Sequence, residues 1–321
     1  MTLAVQILRR SVFLAGPTAS GKTAVSIRLA QLLEAEIVSL DSMAIYTGMD
    51  IGTAKPLPHE QEGVPHHLID VAHPSQDFSV AQFVSMATIA ATNIVKRNRT
   101  PLFVGGTGLY LRSLLRGLFE GPEADWDLRD HLQSQAMQHG RAWLHEQLKM
   151  IDATSAQRLH PNDTRRIIRA IEVYRLTGRR LSDEQSQHPR PVADQPRGVI
   201  WIDPPRHWLH NRINERVDQM MKQGLLPEVK WLMSLDPPAG RTALQALGYR
   251  ELIEHLSGRC SLDAAVEQIK TGTRQFAKRQ HTWFRNLEEC RSVSTTGTES
   301  ADELSRAIKN GLRDTPELDE T

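Results

Sequence analysis

The sequence predicts an α/β fold: a parallel sheet flanked by helices, interrupted by an all-helical insertion. Three observations carry this expectation. Short apolar runs alternate with helix-patterned stretches through the first third of the chain, the signature of βαβ units. A glycine loop ending in Lys-Thr sits between the first such run and the first such helix. From about Pro122 to Arg197 the alternation stops and the pattern is helical throughout.

Ser11 to Ala15 reads as the first strand. Gly16, Pro17, Thr18, Ala19, Ser20, Gly21, Lys22 and Thr23 then fit the pattern G-x-x-x-x-G-K-[ST], and AVSIRLAQLL follows with helical spacing. Such a loop cradles linked phosphates on backbone N–H groups at a helix N-terminus. Lys22 adds a point charge, and the Thr23 hydroxyl can hold Mg²⁺. A P-loop NTPase-like core follows. The pattern recognises phosphate, so the carrier stays open: a nucleotide or another diphosphate.

Ala35 to Leu40 reads as the second strand, ending at Asp41. Residues 78–96 have helical spacing, and Pro101 to Val104 form a third strand ending in Gly105-Gly-Thr-Gly108. Gly198 to Ile202 is another strand, ending at Asp203. The expected organisation is a core in two parts, 1–121 and 198–291, with the helical insertion at 122–197. The insertion closes with the proline-bearing linker HPRPVADQPR. The end of the chain, 292–321, is expected to be a polar tail that frays.

The bulk composition narrows the partners. The chain has 321 residues, 39 Lys+Arg against 38 Asp+Glu, so a nucleic acid must be held by local patches. The two cysteines, Cys260 and Cys290, form no C-x-x-C pair, which fits a reduced, cytoplasmic setting. The apolar N-terminal stretch feeds the glycine loop, so it is read as a strand and not as a signal peptide. No run approaches a membrane span, no membrane partner is expected, and nothing requires more than a monomer.

Several residues carry candidate chemistry. Ligands of parallel sheets sit beyond the strand C-termini, so Asp41 should share a crevice with the glycine loop. A carboxylate there serves as a base or as a turn cap, and position alone leaves both readings open. The glycines before Thr107 let backbone approach a ligand, while Thr107 itself suits a helix cap equally well. Asp203 could organise Mg²⁺ in a kinase or ATPase, or simply end its strand. Arg165, Arg166 and Arg169 cluster on an inserted helix, with Ile167, Ile171 and Tyr174 on another face. Lys270, Arg274 and Lys278 repeat at four-residue spacing and lead into KRQHTWFR, basic residues interleaved with aromatics as RNA binding favours. His66 and His67 are adjacent on an extended run, point to opposite faces and are read as structural.

Taken together, the motifs resemble those of the tRNA dimethylallyltransferases. The likeness runs from GPTASGKT through D-S-x-x-I-Y-x-G-M-D-I-G-T-A-K-P (Asp41 to Pro56) and GGTGLY to HPNDTRRIIRAIEVY (His160 to Tyr174). It continues through RINERVDQM (Arg212 to Met220), GYRE (Gly248 to Glu251) and KRQHTWFR. It covers nearly the whole chain, in order. The resemblance implies transfer of a dimethylallyl group from dimethylallyl diphosphate to N6 of the tRNA adenosine immediately 3′ of the anticodon. It implies that the glycine loop, Lys22, Thr23, Mg²⁺ and Arg216 hold the donor's diphosphate, that Asp41 is the base, and that Thr107 positions the reactants. It further implies RNA contacts by Asp41, Ser42, Met43, Ala44, Thr107, Arg129, Arg165, Arg166, Arg169, Gly248, Tyr249, Arg250, Lys278, Arg279 and Arg285. Eukaryotic members carry a zinc-finger extension, for which this chain has neither length nor cysteines, so it is similar to the bacterial form. The rivals are a P-loop kinase of a small metabolite, using Asp203, and a non-catalytic RNA-binding P-loop protein.

Overall fold

The structure is a computed structural model and describes residues 2–185 and 188–314. In chain order it forms α1 (Val5–Arg10), β1 (Val12–Ala15), α2 (Lys22–Leu33), β2 (Ala35–Leu40), β3 (His66–His67), α3 (Val80–Lys96), β4 (Thr100–Gly105) and α4 (Gly108–Arg116). Then come α5 (Trp126–His139), α6 (Arg141–Ile151), α7 (Ala153–Arg158), α8 (Thr164–Thr177) and α9 (Leu181–Glu184). The chain returns through β5 (Gly198–Asp203), α10 (Arg206–Gln223), α11 (Leu225–Met233), α12 (Arg241–Leu244), α13 (Tyr249–Leu256), α14 (Leu262–Arg285), β6 (Arg291–Ser294) and α15 (Ala301–Asn310).

The strands form one six-stranded sheet in the order β3-β2-β4-β1-β5-β6, every pairing parallel. The central strands are apolar and buried on both faces, as a sheet covered by helices on both sides requires. Alternation divides their side chains. Phe13, Val38 and Phe103 pack with Phe83, Leu111 and Leu114 of α3 and α4. Val12, Leu14, Ile37 and Ile200 pack with Val25, Leu29 and Ile308 of α2 and α15. The register aligns Leu40 with Gly105 and Gly105 with Ala15. The segments beginning at Gly16, Asp41 and Gly106 therefore leave three neighbouring strands at one level, beyond their C-terminal ends.

The chain divides into two compact units, Gly117–His188 and the remainder. The boundaries fall earlier than 122 and 197. Gly117, with φ 93°, ends α4, and the proline-bearing linker belongs to the sheet unit from Pro189 on. There Arg190 donates to the Leu115 and Leu3 carbonyls, and the Arg197 N–H to Ser11 O. The smaller unit is all helical, built on Leu132, Leu144, Leu148, Ile167 and Ile171; Tyr174, expected beside these isoleucines, is half-buried.

The expected polar tail is corrected. Residues 291–294 add the edge strand β6, and α15 follows, with Ile308 fully buried against the α2 side of the sheet. A Ser300/Glu303 capping box starts that helix. Residues 315–321 of the expected tail lie outside the described residues. Among the described residues no helix is long and apolar enough to cross a membrane.

Candidate active site

The glycine loop connects β1 to α2. Its tight course needs left-handed backbone at Ala19 (φ 63°) and at Gly21 (φ 86°), the N-cap of α2. The N–H groups of the helix's first turn have no carbonyl four residues earlier to bind, so they remain available to an anion. The Ser20 hydroxyl is buried in the loop without a hydrogen-bond partner among the described residues. Lys22 Nζ donates to Pro17 O (3.1 Å) and is half-buried. Burial first, then the nearby Arg216 charge, bring its pKa down from 10.5 to about 8, against the opposing pull of Asp41. Arg216, on α10, is also held below its ordinary value, by burial and by Arg212, again opposed by Asp41. Neither cation has an ion pair among the described residues. Arg212 Nε donates to Ala19 O (3.2 Å), tying α10 to the loop.

A cleft of about 1130 Å³ opens beside the loop. Ala19 to Thr23, Arg212 and Arg216 line one part of it; Asp50, Ile51 and the stretch from Ala54 to Pro58 line another. That second wall is held by two hubs of hydrogen bonds and ion pairs. The Glu228 carboxylate of α11 accepts the N–H groups of Asp50, Ile51 and Gly52 (2.8–3.0 Å) and the Tyr249 hydroxyl. Lys55 donates to Tyr46 O, Asp50 and Asp70.

Asp41 and Thr107 do not line this cleft, but Thr107 is bound to the residues on either side of Asp41. Thr107 Oγ1 accepts the Ser42 N–H (3.1 Å), and the Thr107 N–H donates to Leu40 O (3.1 Å). Asp41 Oδ1 accepts from the Met43 N–H (2.8 Å) and the Ala44 N–H (3.3 Å), which leaves Oδ2 uncommitted among the described residues. Asp41 therefore caps its turn with one oxygen and keeps the other. Its charge is felt at both Lys22 and Arg216, so the acid and the two cations belong to one electrostatic site. Gly105 packs directly on Leu40, where a Cβ would come within 2.5 Å of backbone.

The basic residues separate into two kinds. Lys278, Arg279 and Arg285 are exposed on α14. Arg285 donates to His281 Nδ1, so His281 carries its proton on Nε2 and donates it to Asp203 Oδ1 (2.6 Å). Asp203 thus has a partner of its own. By contrast, Lys270 is paired with Asp218 and Glu267, and Arg274 with Asn214 of α10. In the helical unit Arg165 and Arg166 are exposed. Arg129 and Arg169, expected as RNA contacts, clasp Glu172, whose side chain is fully buried. Burial pushes the Glu172 carboxyl up, and the donations from Arg129, Arg169 and the Asp125 N–H outweigh it, holding the group below its ordinary value.

Tyr249, also expected as an RNA contact, is committed within the fold. It is fully buried, its ring lies against Gly52 and its hydroxyl is spent on Glu228, because this turn closes the second wall of the cleft. Gly248 (φ 95°) caps α13, its N–H bound by Glu251, and Arg250 is exposed and paired with Glu251. Phe284 is core, and Trp283 packs on Gly108. His66 and His67 bind Val64 O and Glu36, a structural arrangement. Among the described residues no group of three or more His, Cys, Asp or Glu could hold a metal.

Comparisons with known proteins agree on one family. The profile described as IPP transferase matches residues 44–287. The tRNA dimethylallyltransferase of Geobacter metallireducens is 47% identical over 282 residues, 87% of this chain and 91% of its own. That of Symbiobacterium thermophilum is 46% identical over 307 residues, 94% of this chain and 95% of its own. The full-length tRNA isopentenylpyrophosphate transferase of Bacillus halodurans superposes with a TM-score of 0.69 at 38% identity, covering 94% of this chain and 96% of that one. A eukaryotic dimethylallyltransferase solved acting on tRNA gives a TM-score of 0.77 at 27% identity, covering 96% of this chain and 81% of that one. With its phosphate loop, its acid at the end of β2 and its match over most of the sequence, the chain belongs to the IPP transferase family.

Proposed function

We propose that this chain transfers a dimethylallyl group from dimethylallyl diphosphate to N6 of the tRNA adenosine 3′ of the anticodon. The observation that carries this is the Asp41 carboxylate, one oxygen uncommitted, between the two residues that Thr107 binds and in the field of two unpaired cations. A phosphate site alone suits a kinase. A base beside unpaired cations suits displacement of a diphosphate by a weak nucleophile.

The donor's diphosphate lies on the N–H groups of the glycine loop, with Lys22 and Arg216 supplying positive charge. The adenine amine lies at Asp41 and Thr107. N6 attacks C1 of the donor, the C1–O bond breaks, its electron pair leaves with the diphosphate, and the N6 proton passes to Asp41. Lys22 and Arg216 stabilise the charge that develops on the leaving group. Mg²⁺ fits the site: Mg²⁺ prefers phosphate and water oxygens with few protein ligands, and the exposed Thr23 hydroxyl on the first turn of α2 is the group that would join them. When bound, the ion adds positive charge to the diphosphate.

The adenine must be flipped out of the anticodon loop to reach Asp41, at a cost of a few kcal/mol. The exposed Arg165, Arg166, Lys278, Arg279 and Arg285 are the groups available to grip the RNA backbone, and binding by such patches weakens with salt.

The test is a transfer assay with Mg²⁺, labelled dimethylallyl diphosphate and an unmodified anticodon stem-loop, with Asp41→Ala and an ATP arm. Label entering the adenine 3′ of the anticodon, lost in the variant and indifferent to ATP, supports the proposal. ATP turnover without labelled RNA would remove it.

A further inference from the structure

Gln280 is the third residue of KRQHTWFR, on α14, and is 4% exposed. Its neighbours Lys278 and Arg279 face solvent. A buried amide is costly unless both its ends are satisfied. Here two different loops satisfy it. Oε1 accepts the Thr18 N–H of the glycine loop (2.9 Å), and Nε2 donates to Gly106 O (2.9 Å). These partners lie 262 and 174 residues away in sequence. Gly106 is fitted to this contact: a Cβ there would come within 2.1 Å of Gln280 Nε2. The loops so joined carry the two halves of the site. Thr18 stands four residues before Lys22, and Gly106 immediately precedes Thr107.

We propose that Gln280 is a positioning residue that sets the spacing between the diphosphate cradle and the Asp41–Thr107 pair, a role that rests on the transferase reading above. In-line displacement needs the donor carbon and the amine aligned, and a misplacement of about 1 Å can cost about a hundredfold in rate. The bracket demands one acceptor and one donor. Methionine offers no donor, and an ionised glutamate offers only acceptors. A protonated glutamate offers one of each and restores the pattern. Burial raises a carboxyl pKa, bringing that state within reach of mildly acidic solution.

The experiment compares wild type, Gln280→Glu and Gln280→Met for transfer kinetics, melting temperature and inorganic diphosphate affinity across about pH 5.5 to 8.5. Each variant is expressed as a ratio to wild type at the same pH. The expected result is a fall in kcat of about tenfold or more for both variants at pH 8, with a smaller change in donor KM. Gln280→Glu then recovers toward wild type as pH falls, and Gln280→Met does not. Variants that turn over like wild type, while Asp41→Ala is inactive, would overturn the role of Gln280 and leave the transferase reading standing. So would a loss equal at every pH in both variants, or one that follows the melting temperature. If wild type itself transfers no label, the transferase reading falls. Diphosphate affinity then decides the bracket: weakening in Gln280→Glu that recovers at low pH supports it, and affinity equal to wild type at every pH overturns it.

Discussion

One charged site in the sheet unit and one in the helical unit treat charge taken from water in opposite ways. In the sheet unit Lys22 and Arg216 form no ion pair among the described residues; Asp41 opposes the shift of each but does not cancel it, and both are held below their ordinary pKa values. In the helical unit the Glu172 side chain is fully buried, yet it receives Arg129, Arg169 and a backbone N–H and is held ionised. An unbalanced charge is costly to maintain, and such a cost persists where a ligand relieves it. A balanced one is scaffold. The difference separates arginines that a motif alone treats alike.

The largest effect should come from the acid. Asp41→Asn keeps an acceptor for the Met43 and Ala44 N–H groups and removes the base. Loss of general base catalysis predicts a fall in kcat of about 10²–10⁴ with the melting temperature unchanged. Single-turnover transfer rates check this. A variant retaining wild-type rates would reduce Asp41 to its turn-capping role and dissolve the contrast between the units.

Next in size is the scaffold charge. Glu172→Gln should destabilise the helical unit by about 3 kcal/mol, because two guanidinium groups lose a buried partner. Thermal or urea unfolding reads the loss, and the rate constant for transfer in the folded fraction should change little. The carboxyl is held below its ordinary value, so its contribution is complete above that value and is lost as pH falls through the lower, folded one. The variant should therefore unfold with less acid dependence than wild type.

How far the contrast was legible in the sequence depends on how local its causes are. Ala35 to Leu40 could be read as a strand because six consecutive buried residues leave a continuous signal. The extended course of His66–His67 could also be read, but not its place at the sheet edge, since that exists only by pairing with Ile37 and Val38. β6 is an exposed edge without an apolar run, and α15 looks polar until Ile308 is seen facing the sheet. In the site, the glycine loop is legible because its chemistry lies within eight residues. Gln280 and Glu228 are not, because their partners arrive from distant segments. The i,i+3 spacing of Arg169 and Glu172 does hint at a pair, but nothing in it reveals that the carboxylate is buried or that Arg129 completes the clasp.

A smaller effect follows from Lys22. Its pKa of about 8 in the empty protein lies below the ordinary 10.5, so the charge is present below pH 8 and lost above it. Affinity for inorganic diphosphate should fall by about tenfold between pH 7 and 9.5 beyond the change in the ligand's own ionisation. Lys22→Arg, which stays charged, should flatten the profile. Between pH 8 and 10.5 the unfolded chain holds a proton that the folded one has released, so the stability of the empty protein should rise across that window.

The smallest effect isolates the two kinds of arginine within one unit. Arg165 is exposed and Arg129 is bound to Glu172, although the family resemblance assigns both to RNA. Arg165→Gln should weaken stem-loop binding a few-fold, lower the slope of log affinity against log salt by about 1, and leave the melting temperature alone. Arg129→Gln should do the reverse, lowering the melting temperature while keeping the salt slope, because its charge is already neutralised by a carboxylate and releases no counterion from the RNA. If Arg129→Gln instead reduces the salt slope as much as Arg165→Gln, the clasp on Glu172 opens when RNA binds, and charge balance in the free protein stops being a guide to which arginines grip it.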